Sequence, residues 1–172
     1  DPVYADGNTM RNELLEVVLN PDGTFDITDR TSGKTCPGLN RLVDREAIGD
    51  AYDHKEADDP HEILSSCAGW KLTLNDEVEA RAEAKIRVGG RAEAALAVSV
   101  LRGCPEVRVR LTIRNLAPDH CLRAFFPGEG ELSAFDHGAL PRREGHSGGA
   151  WLQHPFTDYL QIGNLTLFQG TL

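Results

Sequence analysis

Carboxylates and histidines are concentrated in one polar segment, residues 53–62, which reads D-H-K-E-A-D-D-P-H-E. Hard cations prefer oxygen ligands, and zinc takes histidine together with carboxylate. The spacing, however, matches neither a calcium-binding loop nor a zinc signature. We therefore predict a solvated, charged loop rather than a metal site for its ionisable side chains, Asp53, His54, Glu56, Asp58, Asp59, His61 and Glu62.

The residues just before this segment could contact a ligand. An apolar Leu42-Val43 pair runs into a charged turn, and Gly49 then precedes Asp50 and Tyr52. Glycine allows a sharp bend there, and loops held by rigid strands often carry binding residues. The pattern predicts a short polar loop that exposes one carboxylate and one phenol.

A second constellation lies at Asp119, His120 and Arg123, in the run D-H-C-L-R. A proline turn precedes it, and a strand-like segment follows. An acid, a histidine and an arginine within five residues predict a hydrogen-bonded corner between strands. We interpret this trio as an ion-paired corner that fixes the turn, in preference to a catalytic group.

Other chemistry finds little support. The sequence lacks a G-x-S-x-G elbow, a phosphate-binding loop and a dinucleotide glycine fingerprint. Carboxylates are plentiful, but nothing selects a pair for glycoside hydrolysis. Arg108, Arg110 and Arg114 form a basic stripe, which we interpret as a solvent face balanced by acids. Trp70 is predicted to be core, whereas Trp151 suits either the core or a sugar-stacking platform.

The 172 residues carry a net charge of −9, which argues against nucleic acid and anionic membranes as partners. No apolar run approaches the ~20 residues of a membrane span, and the N-terminus does not resemble a signal peptide. The four cysteines lie far apart without a C-x-x-C pair. We expect reduced, mostly packed thiols in a cytoplasmic protein, with one or two bridges left open.

Period-two alternation predicts the elements that position these residues. Residues 78–88 read V-E-A-R-A-E-A-K-I-R-V. Alanine and glutamate favour helix, but every second residue is apolar, and only a strand puts those on one face. Similar patterns predict strands at 12–18, 24–28, 69–74, 91–101, 106–115, 121–126, 158–162 and 165–168.

Short turns rich in glycine, asparagine and proline join these segments. Long alternating strands with short turns indicate an antiparallel sheet with one solvated face. We predict a linker at 1–11 and an all-β antiparallel β-sandwich over 12–172.

Three segments together resemble the C-terminal β-domain of family 38 glycoside hydrolases, the retaining zinc-dependent α-mannosidases. Residues 12–34 resemble the family's opening hairpin, with an N-E-x-x strand, a D-G-T turn and a D-[KR]-x-[ST]-G turn. Residues 40–52 resemble its N-x-L-x-D…G-D-x-Y segment, and residues 115–127 its N-x-x-x-D-H-R-L-R-x-x-F-P segment. The order and spacing of the three also fit.

The resemblance implies a partial galactose-mutarotase-like supersandwich, cut from the middle of a larger enzyme. The family's nucleophile and zinc ligands lie in a domain without counterpart here, so it implies no cofactor in this chain. It also implies that Tyr52 contacts the sugar and that Asp50 orients the loop. The family often places another aromatic and Ser-Pro after that tyrosine, whereas Asp53 follows here, and Cys121 replaces its usual arginine.

We therefore expect a non-catalytic β-domain of a retaining α-mannosidase, inactive when isolated, with an α-mannoside as partner in the complete enzyme. Two alternatives stay open: a stand-alone carbohydrate-binding sandwich, and an aldose epimerase of the same fold that uses His120. A partial sandwich leaves sheet edges open, which also predicts self-association.

Overall fold

The computed structural model describes residues 2–49, 61–130, 132–135, 141–143 and 159–168. These residues form antiparallel sheets, which confirms the predicted all-β class. None of them belongs to a helix long and apolar enough to span a bilayer. The strands are β1 (Tyr4–Asp6), β2 (Thr9–Arg11), β3 (Leu15–Leu19), β4 (Phe25–Asp29), β5 (Thr35–Leu39), β6 (Arg41–Glu46), β7 (Ile63–Asn75), β8 (Glu79–Val88), β9 (Ala92–Leu101), β10 (Val107–Asn115), β11 (His120–Phe125), β12 (Leu132–Phe135), β13 (Pro141–Arg143), β14 (Tyr159–Ile162) and β15 (Leu165–Phe168).

The chain divides into two compact units, 1–126 and 127–172. The first contains a five-stranded sheet in the order β1-β2-β3-β4-β5 and a six-stranded sheet in the order β10-β9-β8-β7-β6-β11. The second contains one sheet in the order β13-β12-β14-β15. Its β14–β15 hairpin matches the predicted one, with the rings of Tyr159 and Phe168 5.9 Å apart.

The alternating segments form the centre of the six-stranded sheet. β8 pairs with β9 over ten residue pairs, from Glu79 opposite Leu101 to Val88 opposite Ala92. The even-numbered residues of both strands, from Ala80 to Val88 and from Ala92 to Val100, are apolar, face one side and are at most 6% exposed. The strand prediction for 78–88 is confirmed, because burial of one face outweighs the helix preference of alanine and glutamate.

The two sheets of the first unit approach each other closely. The five-stranded sheet buries large side chains such as Met10 and Phe25, whereas the inner faces of β8 and β9 consist mainly of alanine and valine. Gly23 has a φ of +90°, and a Cβ there would lie 3.2 Å from Cys67 Cβ and Ile86 Cδ1. Small residues facing large ones let the interior fill without voids.

Turn motifs of the first hairpins have a direct physical basis. Asp29 Oδ1 accepts the Thr31 N–H at 2.8 Å, and its Oδ2 accepts the Ser32 hydroxyl at 2.8 Å. These bonds, that of Ser32 first, hold the pKa of the Asp29 carboxyl below its usual value. Gly33 follows with a φ of +72° and donates its N–H to the Asp29 carbonyl. The D-x-x-S-G pattern is thus a self-capped turn.

Three parts of this unit differ from the sequence-based expectation. Asp44 to Glu46, predicted to form a charged turn after Leu42 and Val43, continue strand β6, and Asp44 is buried. Residues 4–11, assigned to a linker, form β1 and β2, and Met10 is 1% exposed. Their few apolar residues were too sparse to show an alternation. β5 contains Pro37 and was not predicted, because proline normally interrupts a sheet. It is tolerated because β5 is an edge strand.

Asn12 joins the two sheets through its side chain and is 2% exposed. Its Nδ2 donates to the carbonyls of Leu101 and Cys104, at 2.6 and 2.8 Å. Its Oδ1 accepts the N–H groups of Leu14 and Leu15, at 2.8 and 2.7 Å. The first residue of the N-E-x-x segment therefore satisfies four backbone groups, two of them far away in sequence.

Replacing Asn12 with alanine leaves these buried groups without partners, so we expect Asn12→Ala to lower the free energy of unfolding by about 2–4 kcal/mol. The matched control is Asn8→Ala, because exposed Asn8 makes one side-chain bond, to the Leu19 carbonyl at 3.3 Å. Urea denaturation of both variants measures the difference. Equal losses would contradict the bridging role of Asn12.

Candidate functional site

A buried carboxylate, Asp44 on β6, lies at the centre of the candidate site. Its side chain is 0% exposed, and its Oδ1 lies 2.5 Å from Nδ1 of His120, which is 5% exposed. β6 pairs with β11 so that His120 faces Glu46, which makes Asp44 and His120 diagonal neighbours. A carboxylate only accepts, so Nδ1 donates, and this bond joins residues 76 positions apart.

The second ring nitrogen of His120 also faces an acceptor. Nε2 lies 2.7 Å from Oδ1 of Asn115, the last residue of β10. The same oxygen accepts the Ala117 N–H at 3.1 Å. An N–H can only donate, so this contact fixes the orientation of the Asn115 amide, and Nε2 must donate too. Both ring nitrogens of His120 are therefore engaged, one by Asp44 and one by Asn115.

Arg91, in the turn between β8 and β9, supplies a cation beside Asp44. Its Nε lies 3.8 Å from Oδ2 of Asp44, an oxygen without a hydrogen bond from the described residues. The Arg91 carbonyl accepts the Leu116 N–H at 2.8 Å, which ties this turn to the end of β10. A buried carboxylate needs such partners, because an uncompensated charge in the interior costs several kcal/mol.

Asp119 contributes to the corner through its backbone. Its φ is +55°, a conformation that aspartate tolerates better than most residues. Its carbonyl accepts the N–H of Ala47 at 3.0 Å, one residue beyond β6. Arg123 lies farther along β11, opposite Val43. We name the group Asp44, Arg91, Asn115, Asp119 and His120 the Asp44 corner.

The Asp44 corner lies where residues 47–62 leave and rejoin the sheet. β6 ends at Glu46, and β7 starts at Ile63, which pairs with Asp44 itself. Arg45 Nε donates to Oε1 of Glu62 at 2.9 Å, so an ion pair also joins the two ends. The ends of this loop are therefore held by backbone pairing, by an ion pair and by the buried corner.

The predicted ligand-contacting residues Asp50 and Tyr52 lie outside the described residues, as do 53–60 of the acidic segment. His61 is described and exposed, and Glu62 forms the ion pair with Arg45. Trp151 also lies outside the described residues. Trp70 is half-buried, and its Nε1 donates to the Asn20 carbonyl at 2.8 Å.

A metal ion does not fit the corner. Within the described part of the chain, no group of three or more His, Cys, Asp or Glu side chains is arranged to hold one. Asp44 and His120 are already bonded to each other, and the Arg91 guanidinium lies beside the remaining carboxylate oxygen. A divalent cation would have to displace both His120 and the Arg91 guanidinium.

Sequence reasoning selected His120 but did not pair it with Asp44. A signal was present, since Asp44 directly follows the buried Leu42 and Val43. A carboxylate continuing a buried strand must be paired, because burying a lone charge is expensive. The sequence alone did not reveal which cation would reach it.

Two solved structures share this fold. One is an α-mannosidase from Enterococcus faecalis V583, with a TM-score of 0.81 and 17% identity, covering 98% of this chain and 24% of that one. The other is a glycosyl hydrolase family 38 protein from Enterococcus faecalis, with a TM-score of 0.80 and 18% identity, covering 98% and 25%. The fold expected from the resemblance to family 38 is thus confirmed.

A relative found by sequence similarity has a name that states an activity. A protein of Halalkalibacterium halodurans, called "Putative mannosylglycerate hydrolase", is 25% identical over 154 residues, covering 71% of this chain and 17% of that protein. No protein-family model matches the chain. The chain thus spans about a quarter or less of the length of each of these three relatives.

The paired charges at Asp44 predict a large effect from removing one of them. Asp44→Asn leaves the buried His120 and the partly buried Arg91 without their carboxylate, and we expect a loss of about 3–5 kcal/mol in the free energy of unfolding. The matched control is Glu93→Gln. Glu93 also has two cationic neighbours, Arg87 at 3.9 Å and Arg114 at 3.5 Å, but its side chain is 44% exposed.

The control should cost less than about 1 kcal/mol, because solvent screens exposed pairs. Urea denaturation of both variants decides the matter. If Asp44→Asn were no more destabilising than Glu93→Gln, the buried charge network would not support the corner.

Proposed function

We propose that this chain is a non-catalytic β-domain of a retaining α-mannosidase of glycoside hydrolase family 38, and that its loop at 47–62 borders the sugar site of the complete enzyme. The observation that carries the proposal is the fold: nearly the whole chain superposes on about a quarter of an α-mannosidase. The similar protein from Halalkalibacterium halodurans, named as a hydrolase of a mannosyl compound, supports the same class.

The geometry of the Asp44 corner supports a positioning role for this domain. A loop can present side chains to a sugar reproducibly only if its two ends are rigid. Here Ala47 is bonded to Asp119 at one end, and Glu62 is paired with Arg45 at the other. In this proposal Tyr52 offers a ring and a hydroxyl to the sugar, and Asp50 orients the loop.

The bond-breaking groups and the zinc expected for such an enzyme belong, in this proposal, to the part of the polypeptide outside these 172 residues. In this proposal, the present chain shapes the approach to that catalytic domain.

The epimerase alternative loses support from the structure. A catalytic histidine must reach its substrate with a free nitrogen. His120 is 5% exposed, and both of its ring nitrogens are bonded, to Asp44 and Asn115. The stand-alone binding module keeps no specific observation in its favour within the described residues.

The proposal is tested in the complete enzyme, encoded by the full open reading frame. Tyr52→Phe removes one hydroxyl, so we expect kcat/KM for an α-mannoside to fall about 2–10-fold. The matched control is Tyr4→Phe, because Tyr4 lies on β1, is 47% exposed and donates its hydroxyl to Asp6 at 3.3 Å. The 172 residues alone should show no turnover.

Three results would refute the proposal: equal kcat/KM for Tyr52→Phe and the unmodified enzyme, α-mannosidase turnover by the isolated chain, or an open reading frame without a second, catalytic domain.

A further inference from the structure

The six-stranded sheet ends in an edge strand, β10, that is longer than any other edge strand in the described part of the chain. β10 pairs with β9 over nine residue pairs, from Val107 opposite Val100 to Asn115 opposite Ala92. None of the described strands pairs with its other side. Such an edge offers a row of open hydrogen-bonding groups.

The ladder shows which backbone groups are open. Leu116 donates its N–H to the Arg91 carbonyl, one pair beyond Asn115 and Ala92. Hydrogen-bonded and non-bonded pairs alternate in an antiparallel ladder, so even-numbered residues of β10 bond to β9. Consequently Val107, Val109, Leu111 and Ile113 direct their N–H and C=O groups to the free edge.

The same odd-numbered residues carry the apolar face of β10, and that face is incompletely covered. Val109 is 40% exposed and Ile113 is 48% exposed, whereas the corresponding residues of β8 and β9 are at most 6% exposed. The core therefore thins out at β10. A further strand alongside it, with its own apolar residues on this face, would complete the cover.

The opposite face of β7–β10 has an excess of positive charge, although the whole chain carries −9. Alternation places seven cationic side chains there against three carboxylates: Lys71, Arg81, Lys85, Arg87, Arg108, Arg110 and Arg114 against Glu79, Glu83 and Glu93. Arg114 pairs with Glu93 at 3.5 Å, but Arg108 and Arg110 have no carboxylate within 4.0 Å among the described residues. The predicted balance of the arginine stripe by acids thus holds only for Arg114.

We propose that the free edge of β10 binds an additional β-strand in which carboxylate side chains alternate with apolar ones. The partner strand would bond to the open backbone groups, cover Val109 and Ile113 with its apolar residues and place its carboxylates beside Arg108 and Arg110. Its source is a segment of the same polypeptide outside these 172 residues, since the relatives are about four or more times as long. Only this choice of source rests on the proposed function.

A second copy of the chain fits this edge poorly. In an antiparallel pairing of two β10 strands centred on Leu111, Arg108 would face Arg114. Centred on Arg110, that arginine would face its own copy. Like charges directly opposite each other destabilise a strand pair. The self-association predicted from open edges is therefore disfavoured at β10.

The test is amide hydrogen exchange of the isolated chain, followed residue by residue by NMR, with and without a peptide of nine alternating valines and glutamates. Without peptide, the amides of Arg108 and Arg110 should exchange slowly and those of Val109 and Leu111 quickly. Saturating peptide should slow the latter two at least about tenfold. The same peptide with lysine in place of glutamate should have no such effect.

Charge-reversal variants give a second readout. The double variant Arg108→Glu and Arg110→Glu should weaken binding of the glutamate peptide about tenfold or more and admit the lysine peptide. The matched control, Arg87→Glu on β8, lies on the same face away from the edge and should change binding little.

Three outcomes would overturn the proposal. The first is equal binding of the two peptides. The second is that the amides of the odd-numbered β10 residues stay unprotected with either peptide. The third is that dimerisation of the isolated chain protects them without peptide. In the complete enzyme, residues 107–115 should be protected without added peptide. If β10 of the complete enzyme still bound the glutamate peptide, the additional strand would come from a separate protein. A complete enzyme without mannosidase activity would contradict the proposed function but not strand binding at β10.

Discussion

A single buried charge constrains much of the first unit. The Asp44 carboxylate has no contact with solvent, and its partners are Arg91 from the β8–β9 turn and His120 from β11. A charge in this position is tolerable only if its partners arrive with good geometry. The fold must therefore bring residues 91 and 120 close to β6. For residue 120 this is achieved by the pairing of β11 with β6.

The buried Asp44 charge also connects the core to the 47–62 loop. Asp44 pairs with Ile63 through the backbone, and Ala47 pairs with Asp119, so the ends of the 47–62 loop share their supports with the buried charge. Both ends of the 47–62 segment are thereby held in place by hydrogen bonds and by the Arg45–Glu62 ion pair. Fixed ends of this kind are what the proposed role beside a sugar site requires.

An element could be predicted from the sequence when its own residues carried a long enough pattern. β8, β9 and β10 alternate over about ten residues, so their sequence indicated both the strand type and the inward face. β1 and β2 have three residues each, and β5 carries a proline, so neither pattern nor propensity identified them. At the candidate site, His120 was recognisable from its neighbours, but its bond to Asp44 spans 76 positions and depends on the order of strands in the sheet.

The most direct test of the link between the corner and the loop is the hydrogen-exchange rate of the Ala47 amide in the His120→Gln variant. If the corner holds the loop, exchange at Ala47 should accelerate strongly, because its acceptor, the Asp119 carbonyl, is positioned by the neighbouring His120. The Val17 amide in the five-stranded sheet, which reports on global unfolding, should change much less. Unchanged protection at Ala47, or equal acceleration at both amides, would contradict the role assigned to the Asp44 corner.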